Sequence, residues 1–210
     1  MSALVHEALS LDSLKKQLFW DDDFEGDSIK SHWVAGGDGS ATVVDGEAGG
    51  IVRLSTTATD LELIEFDWGN ISSLLVTKNV SYEVRVRLNH LTSVDHYIYL
   101  RSDASAYFRW RFSVLDTNWM IYARDAGTST EEDTGITPDT DFHLFRIDCH
   151  THGGSHAHFY IDNVETANSP ISTNIPDDSV DYLRPYLLIQ TRQNSIKTMD
   201  VDYVAVRQDR

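Results

Sequence analysis

The chain has 210 residues, 41% hydrophobic and 24% charged, which suits one folded domain with a sizeable core and not a disordered chain. Its 33 acidic and 17 basic residues leave a net charge of −16. That field repels nucleic acid and anionic membranes and excludes both as partners. Cys149 is the only cysteine, so no intrachain disulfide forms, and no run approaches the roughly 20 apolar residues of a membrane helix.

Residues 1–17 read as an N-terminal arm and 18–210 as a single β domain. In the arm, Ser10 caps a predicted short helix through Leu11, Leu14 and Leu18, with Asp12 in its first turn. Leu4, Leu9, Leu11, Leu14 and Leu18 form a stripe too small to hold a helix alone. The arm therefore packs on its own domain or docks on a neighbouring subunit. Its first seven residues lack the basic and apolar regions of a signal peptide, so synthesis in the cytoplasm is expected.

Strands are predicted over 41–45, 51–55, 61–68, 81–88, 96–101, 106–115, 119–124, 142–150, 156–164, 182–191 and 199–207. Turn formers separate them: Gly36-Gly37-Asp38-Gly39, Glu47-Ala48-Gly49-Gly50, Gly153-Gly154 and Pro176-Asp177-Asp178. Glu131-Glu132-Asp133 falls in a Thr/Ser/Gly-rich segment read as a turn. Short strands with regular turns, and no internal repeat, predict an all-β, two-sheet antiparallel sandwich.

Alternation assigns faces. In 107–113, Phe108, Trp110 and Phe112 share one parity and Arg109 and Arg111 the other, so the aromatics enter the core and the arginines face out. Glu83, Arg85 and Arg87 oppose Tyr82, Val84 and Val86. Arg184, Tyr186, Leu188, Gln190 and Arg192 oppose Leu183, Leu187 and Ile189. The predicted core includes Ile147, Phe159, Ile161, Val204 and Val206.

Arg101, Arg109, Arg111, Arg124, Arg184 and Arg192 fall on strands or strand ends among Tyr97, Tyr99, Tyr107, Tyr122 and Tyr186. Tyrosine rings stack on pyranose faces, and guanidinium forks grip carboxylate or sulfate in two-point contacts. The expected carbohydrate-binding set is Arg101, Tyr107, Arg109, Arg111, Tyr122, Arg184, Tyr186 and Arg192, with an anionic polysaccharide as ligand. The alternative is cross-strand ion pairing with neighbouring Asp and Glu. The segment 149–158 offers a zinc alternative: a two-residue turn at Gly153-Gly154 puts Cys149 opposite His158, and Cys149, His156 and His158 are ligand types zinc accepts.

Three segments carry a resemblance. They are Leu18–Asp27 with Trp33, the pair His143–Asp148 and Phe159–Glu165, and Met199–Arg207. Together they resemble the concanavalin A-like lectin/glucanase (LamG-like) jelly-roll superfamily. The resemblance implies a jelly-roll sandwich with one sheet curved around a groove. It also implies a structural Ca²⁺ tying first strand to last, with Asp23, Glu25 and Asp202 at the matching positions, and calcium rather than zinc is the expected metal. The superfamily's glucanases carry a Glu-x-Asp-x-Glu run, which is not found here. Its lyases carry a Gln-x-His strand, for which His96 beside Tyr97 and Tyr99 is only a loose substitute. Trp20–Gly26, Gly49–Leu54 and Trp68–Ile71 are similar to sandwich domains of tailed-phage virion proteins. The expected function is thus a non-enzymatic virion protein, a capsid-decoration or adsorption module with a glycan-binding groove. Its expected partners are capsid or tail subunits in a closed homo-oligomer. The alternatives are a carbohydrate-active enzyme, such as a polysaccharide lyase or glycoside hydrolase, and a freestanding lectin.

Overall fold

A computed structural model describes residues 17–44, 50–69, 74–102, 105–150, 155–176 and 182–209. The predicted helix of the arm lies outside the described residues as far as residue 16; Gln17 and Leu18, where it was expected to end, are instead the start of a strand. Among those described, the chain is all β, in two antiparallel eight-stranded sheets, and its one helical element is a 3₁₀ turn at Val76–Lys78.

The first sheet runs in the order β14 (Val164–Glu165), β13 (His156–Ile161), β12 (Phe142–His150), β7 (Ser81–Leu88), β16 (Thr198–Asp209), β4 (Ile51–Ser55), β3 (Ser40–Val44). β4 pairs with the first half of β16 and β1 (Gln17–Asp22) with its second half. The second sheet runs β11 (Thr128–Asp133), β10 (Met120–Asp125), β9 (Tyr107–Phe112), β8 (Val94–Arg101), β15 (Tyr182–Thr191), β5 (Leu63–Asp67), β2 (Val34–Gly37). The short β6 (Leu74–Leu75) adds to β15. This is the predicted jelly-roll sandwich.

The core lies between the sheets and is fed by the predicted alternation. Phe108, Trp110, Phe112, Ile147, Phe159, Ile161, Val204 and Val206 are all buried. Trp110 from β9 meets Phe145 of β12 and Phe159 of β13 edge-on, each at 5.4 Å between ring centroids. Such pairs add about 0.5–1.5 kcal/mol each beyond the area they bury. At the other end Trp33 stacks flat on Phe66 at 4.5 Å.

Three expectations are corrected. Residues 128–133 form the edge strand β11 and not a turn, reached by a tight reversal in which Ala126 and Gly127 take φ of 45° and 87°. Its residues are exposed or half-buried throughout, so no apolar alternation marks it in the sequence. His96 faces the core, fully buried, with Nε2 2.8 Å from the His90 carbonyl oxygen, because it has the parity of Ile98 and not of Tyr97. Cys149 also points inward: β12 and β13 pair Cys149 with Ala157 and His150 with His156, one residue off the predicted register. The thiol is fully buried, and burial pushes its pKa well up, with Asp148 adding to the effect, so it is not a ready thiolate ligand.

Two buried carboxylates organise β1 and β16. Asp22 accepts from Lys30 Nζ (2.7 Å), Trp33 Nε1 (2.9 Å) and the Phe24 N–H (3.0 Å). Asp200 on β16 sits between Arg53 of β4, which donates through Nε (2.7 Å) and Nη2 (2.9 Å), and Arg87 of β7 (2.6 Å). Burial alone raises both pKa values. Lys30 and the Phe24 N–H at Asp22, and the two arginines at Asp200, outweigh it and hold both below the ordinary 3.8. A depressed folded-state pKa contributes stability that is present above the unfolded value and lost as pH falls below it. Unfolding free energy is therefore expected to drop as pH falls below about 4. Asp200→Asn should flatten that acid limb in urea titrations and cost about 1–3 kcal/mol at neutral pH, discounted because both guanidiniums reach solvent.

Candidate functional site

The outward face of the second sheet gathers the predicted arginines and tyrosines into rows running across strands. One row reads Arg124, Tyr107, Arg101, Arg184 across β10, β9, β8 and β15. The next reads Glu131, Tyr122, Arg109, Tyr99, Tyr186, Asp67 from β11 to β5. A third places Arg111 beside Tyr97 and, farther along, Leu188 beside Glu65. Arg192 lies just beyond the end of β15. All eight residues expected to bind carbohydrate are in this patch.

Arg109 is its centre. Its guanidinium carbon lies 3.9 Å from the Tyr122 ring centroid, 5.1 Å from Tyr107 and 5.4 Å from both Tyr97 and Tyr99. Nη1 donates to the Tyr99 hydroxyl at 3.2 Å, while Nε is buried without a partner. Burial works against the charge, but Tyr99, Tyr107 and Tyr122 more than offset it, so Arg109 stays a cation. Arg101 has its guanidinium carbon 3.3 Å from the Tyr186 ring centroid and is paired across the strands with Arg184, a like-charge pair. Arg124 lies 5.8 Å from the Tyr107 ring.

The six arginines divide into two groups. Arg111 is held bidentately by Asp116 (2.9 and 2.8 Å) and by Glu131 (3.0 Å), Arg184 contacts Asp67 (3.3 Å), and Arg192 pairs with Asp95 (2.7 Å from Nε). For these three the cross-strand ion-pair reading holds. Arg101, Arg109 and Arg124 meet no carboxylate among the described residues and rest on tyrosine faces.

The hydroxyls of Tyr97, Tyr122 and Tyr186 stay protonated. Burial raises Tyr122 and Tyr186 far above the ordinary value, with Glu131 and Glu65 raising them further. Burial, then Asp95 and Tyr99, pushes Tyr97 up to about 12. They are hydrogen-bond donors, not bases.

One end of the patch opens into a cleft of about 350 Å³ lined by Tyr97, Arg111, Arg192 and the apolar Val114 and Leu115, the last 92% exposed. Asp95 holds this end together: it is buried, accepts from Arg192 and the Tyr97 hydroxyl (3.3 Å), and takes the Val114 N–H (3.0 Å).

The carboxylates Glu65, Asp67, Asp95, Asp116 and Glu131 were not anticipated. Glu65-Phe66-Asp67 carried a readable signal, two carboxylates at strand spacing on one face. They supply two of the three acids of the Glu-x-Asp-x-Glu run, with Gly69 in the place of the third. Asp67 is spent on Arg184 and on the Gly69 N–H at 2.5 Å.

The predicted calcium ligands have separate local partners. Asp23 accepts the Glu25 N–H (3.3 Å), Glu25 is exposed, and Asp202 engages Arg85. Among the described residues no group of three or more His, Cys, Asp or Glu is set to hold a metal as it stands.

No protein-family profile and no curated protein matches this chain. Solved structures do. An uncharacterised protein from Mycobacterium paratuberculosis is 12% identical, with a TM-score of 0.65 over 89% of this chain and 99% of its own. A beta-1,3-glucanase from Mycobacterium marinum is 13% identical, with a TM-score of 0.64 over 89% of this chain and 97% of its own. A carbohydrate esterase from the Shiga toxin-encoding bacteriophage phi24B is 16% identical, with a TM-score of 0.55 over 85% and 90%. The likeness is one of fold.

Asp95→Ala should free Arg192 and the Val114 loop together, lowering stability by about 1–3 kcal/mol in denaturant titrations. An unchanged midpoint would mean that Asp95 does not organise the cleft.

Proposed function

We propose that the outward face of the second sheet binds an acidic polysaccharide, carboxylated or sulfated, without turning it over. The observation that carries this reading is the trio Arg101, Arg109 and Arg124, three guanidiniums without a carboxylate among the described residues of a chain carrying −16. Of the tyrosines beside them, Tyr107, Tyr122 and Tyr186 are buried and serve as a platform under the guanidiniums, while the half-buried Tyr97 and Tyr99 offer faces that suit pyranose rings. The fold is shared with solved glucanase and esterase structures, which supports a carbohydrate ligand.

Turnover finds less support. A lyase needs a base on this face, yet Tyr97, Tyr122 and Tyr186 are shifted away from deprotonation and His96 points into the core. Hydrolysis needs two carboxylates flanking the scissile bond, and Asp67 is already engaged by Arg184. We further propose a setting on a tailed-phage particle, as a surface module attached to capsid or tail subunits in a closed homo-oligomer. One solved structure of this fold being a phage protein supports it.

The test is calorimetric titration with a uronate oligomer and with a sulfated one, over a range of salt. Binding to at least one is expected, weakening as salt rises. Arg101→Ala and Arg124→Ala should each weaken it about 10- to 100-fold, the worth of a charge-assisted hydrogen bond. Affinity indifferent to salt and to both substitutions would overturn the reading. Rising absorbance from an unsaturated product would replace it with a lyase.

A further inference from the structure

The first sheet carries a second cluster on its own outward face. The pairing of β12 with β13 sets His150 opposite His156, and Asp148 opposite His158, so three imidazoles share one face while Cys149 and Ala157 enter the core. Their ring centroids form a nearly equilateral triangle: 5.5 Å between His150 and His156, 5.6 Å between His150 and His158, and 5.0 Å between His156 and His158. Three imidazoles on one tetrahedral zinc, each with its nitrogen about 2.0–2.1 Å from the ion, hold their centroids about 5 Å apart. The strand register alone has brought the rings to that spacing.

Two further features point the same way. Glu165 on β14 lies 2.5 Å from His158 Nδ1. A carboxylate on one ring nitrogen fixes the tautomer and leaves Nε2 as the donor, the usual outer-shell arrangement around a metal-bound histidine. His150 lines an open cleft of about 400 Å³ with Arg146, Asp148 and Arg207, which leaves room for a fourth ligand.

We propose that His150, His156 and His158 form a binding site for a divalent transition-metal ion, Zn²⁺ in the first instance, with Glu165 as the positioning carboxylate. The nitrogens do not yet surround a common point. Closing the site needs rotation about the Cβ–Cγ bonds, a broad torsion, on three side chains that reach solvent. The negative net charge concentrates cations near the surface. The site lies on the opposite sheet from the glycan face and does not depend on that reading.

The experiment titrates the full chain, stripped with EDTA and dialysed, with zinc chloride. One saturable site is expected, with a rise in melting temperature that grows with zinc concentration. Cobalt in place of zinc should give the visible absorption of tetrahedral coordination. His150→Ala and His158→Ala should abolish the site, and Glu165→Gln should weaken it about 10- to 100-fold. His90→Ala, away from the cluster, should leave it unchanged. Circular dichroism of the metal-free variants checks that each remains folded. No saturable uptake by the wild-type chain would overturn the proposal, as would uptake unchanged in both histidine variants.

Discussion

Strand alternation, locked in phase by the core, is the constraint on which the rest of the molecule depends. Trp110 and Phe108 are fully buried, Trp110 against Phe145 and Phe159 of the opposite sheet, so β9 cannot shift by one residue without exposing both. That fixed phase sends Arg109 and Arg111 outward. The same phase on β8, set by Ile98 and Leu100, turns Tyr97, Tyr99 and Arg101 to the same side, and on β15 Leu187 and Ile189 do so for Arg184 and Tyr186. The chemistry of the face is a by-product of what the core will accept.

That face resolves a tension in the sequence. An acidic chain places basic residues side by side, and Arg101 directly faces Arg184. Carboxylates at the margins, Glu131, Asp116, Asp95 and Asp67, settle three of the arginines. Tyrosine rings under the central ones contribute about 0.5–2 kcal/mol each by cation–π attraction, more as water is excluded. Such contacts keep a guanidinium in place with N–H donors left over: on Arg109, Nη1 donates to the Tyr99 hydroxyl and Nε is buried, and the other terminal N–H groups meet no carboxylate among the described residues. A carboxylate partner would have occupied them. The centre of the patch is therefore held in position by rings and not by a carboxylate.

The parts of this structure that were legible in the sequence share a physical reason. β4, β7, β12 and β15 fall on their predicted residues because each lies within a sheet with one face on the core, which writes apolar alternation into the chain. β11 lies at a sheet edge and is polar on both faces, while β2 includes Gly36 and Gly37, and neither leaves such a trace. The arginines and tyrosines were legible because parity alone groups them. Their carboxylate partners were not, since Asp95 and Arg192 meet across 97 residues of sequence. The β12–β13 register shows how narrow the margin is. A one-residue difference there moves Cys149 from a ligand position into the core and exchanges a mixed thiolate site for a cluster of three histidines.

The same reasoning explains why the two outward faces are so different. In the first sheet β16 is paired on both sides along its length, and Asp200 binds arginines from both flanking strands. Asp200 thereby ties the last strand to β4 and β7, while Asp22 fastens β1 to the segment that follows it through Lys30, Trp33 and the Phe24 N–H. Toward β13 and β14, farther from that seam, Arg146 of β12 pairs with Asp148 and lies over Tyr160, and beyond it the histidines gather. In the second sheet no buried carboxylate ties the middle strands, β8 and β9, to each other; Tyr97, Tyr99 and Tyr107 pack over that seam, and the guanidiniums ride on them. A sheet whose outer polar groups satisfy one another is a scaffold. A sheet whose outer cations rest on rings has donors to offer.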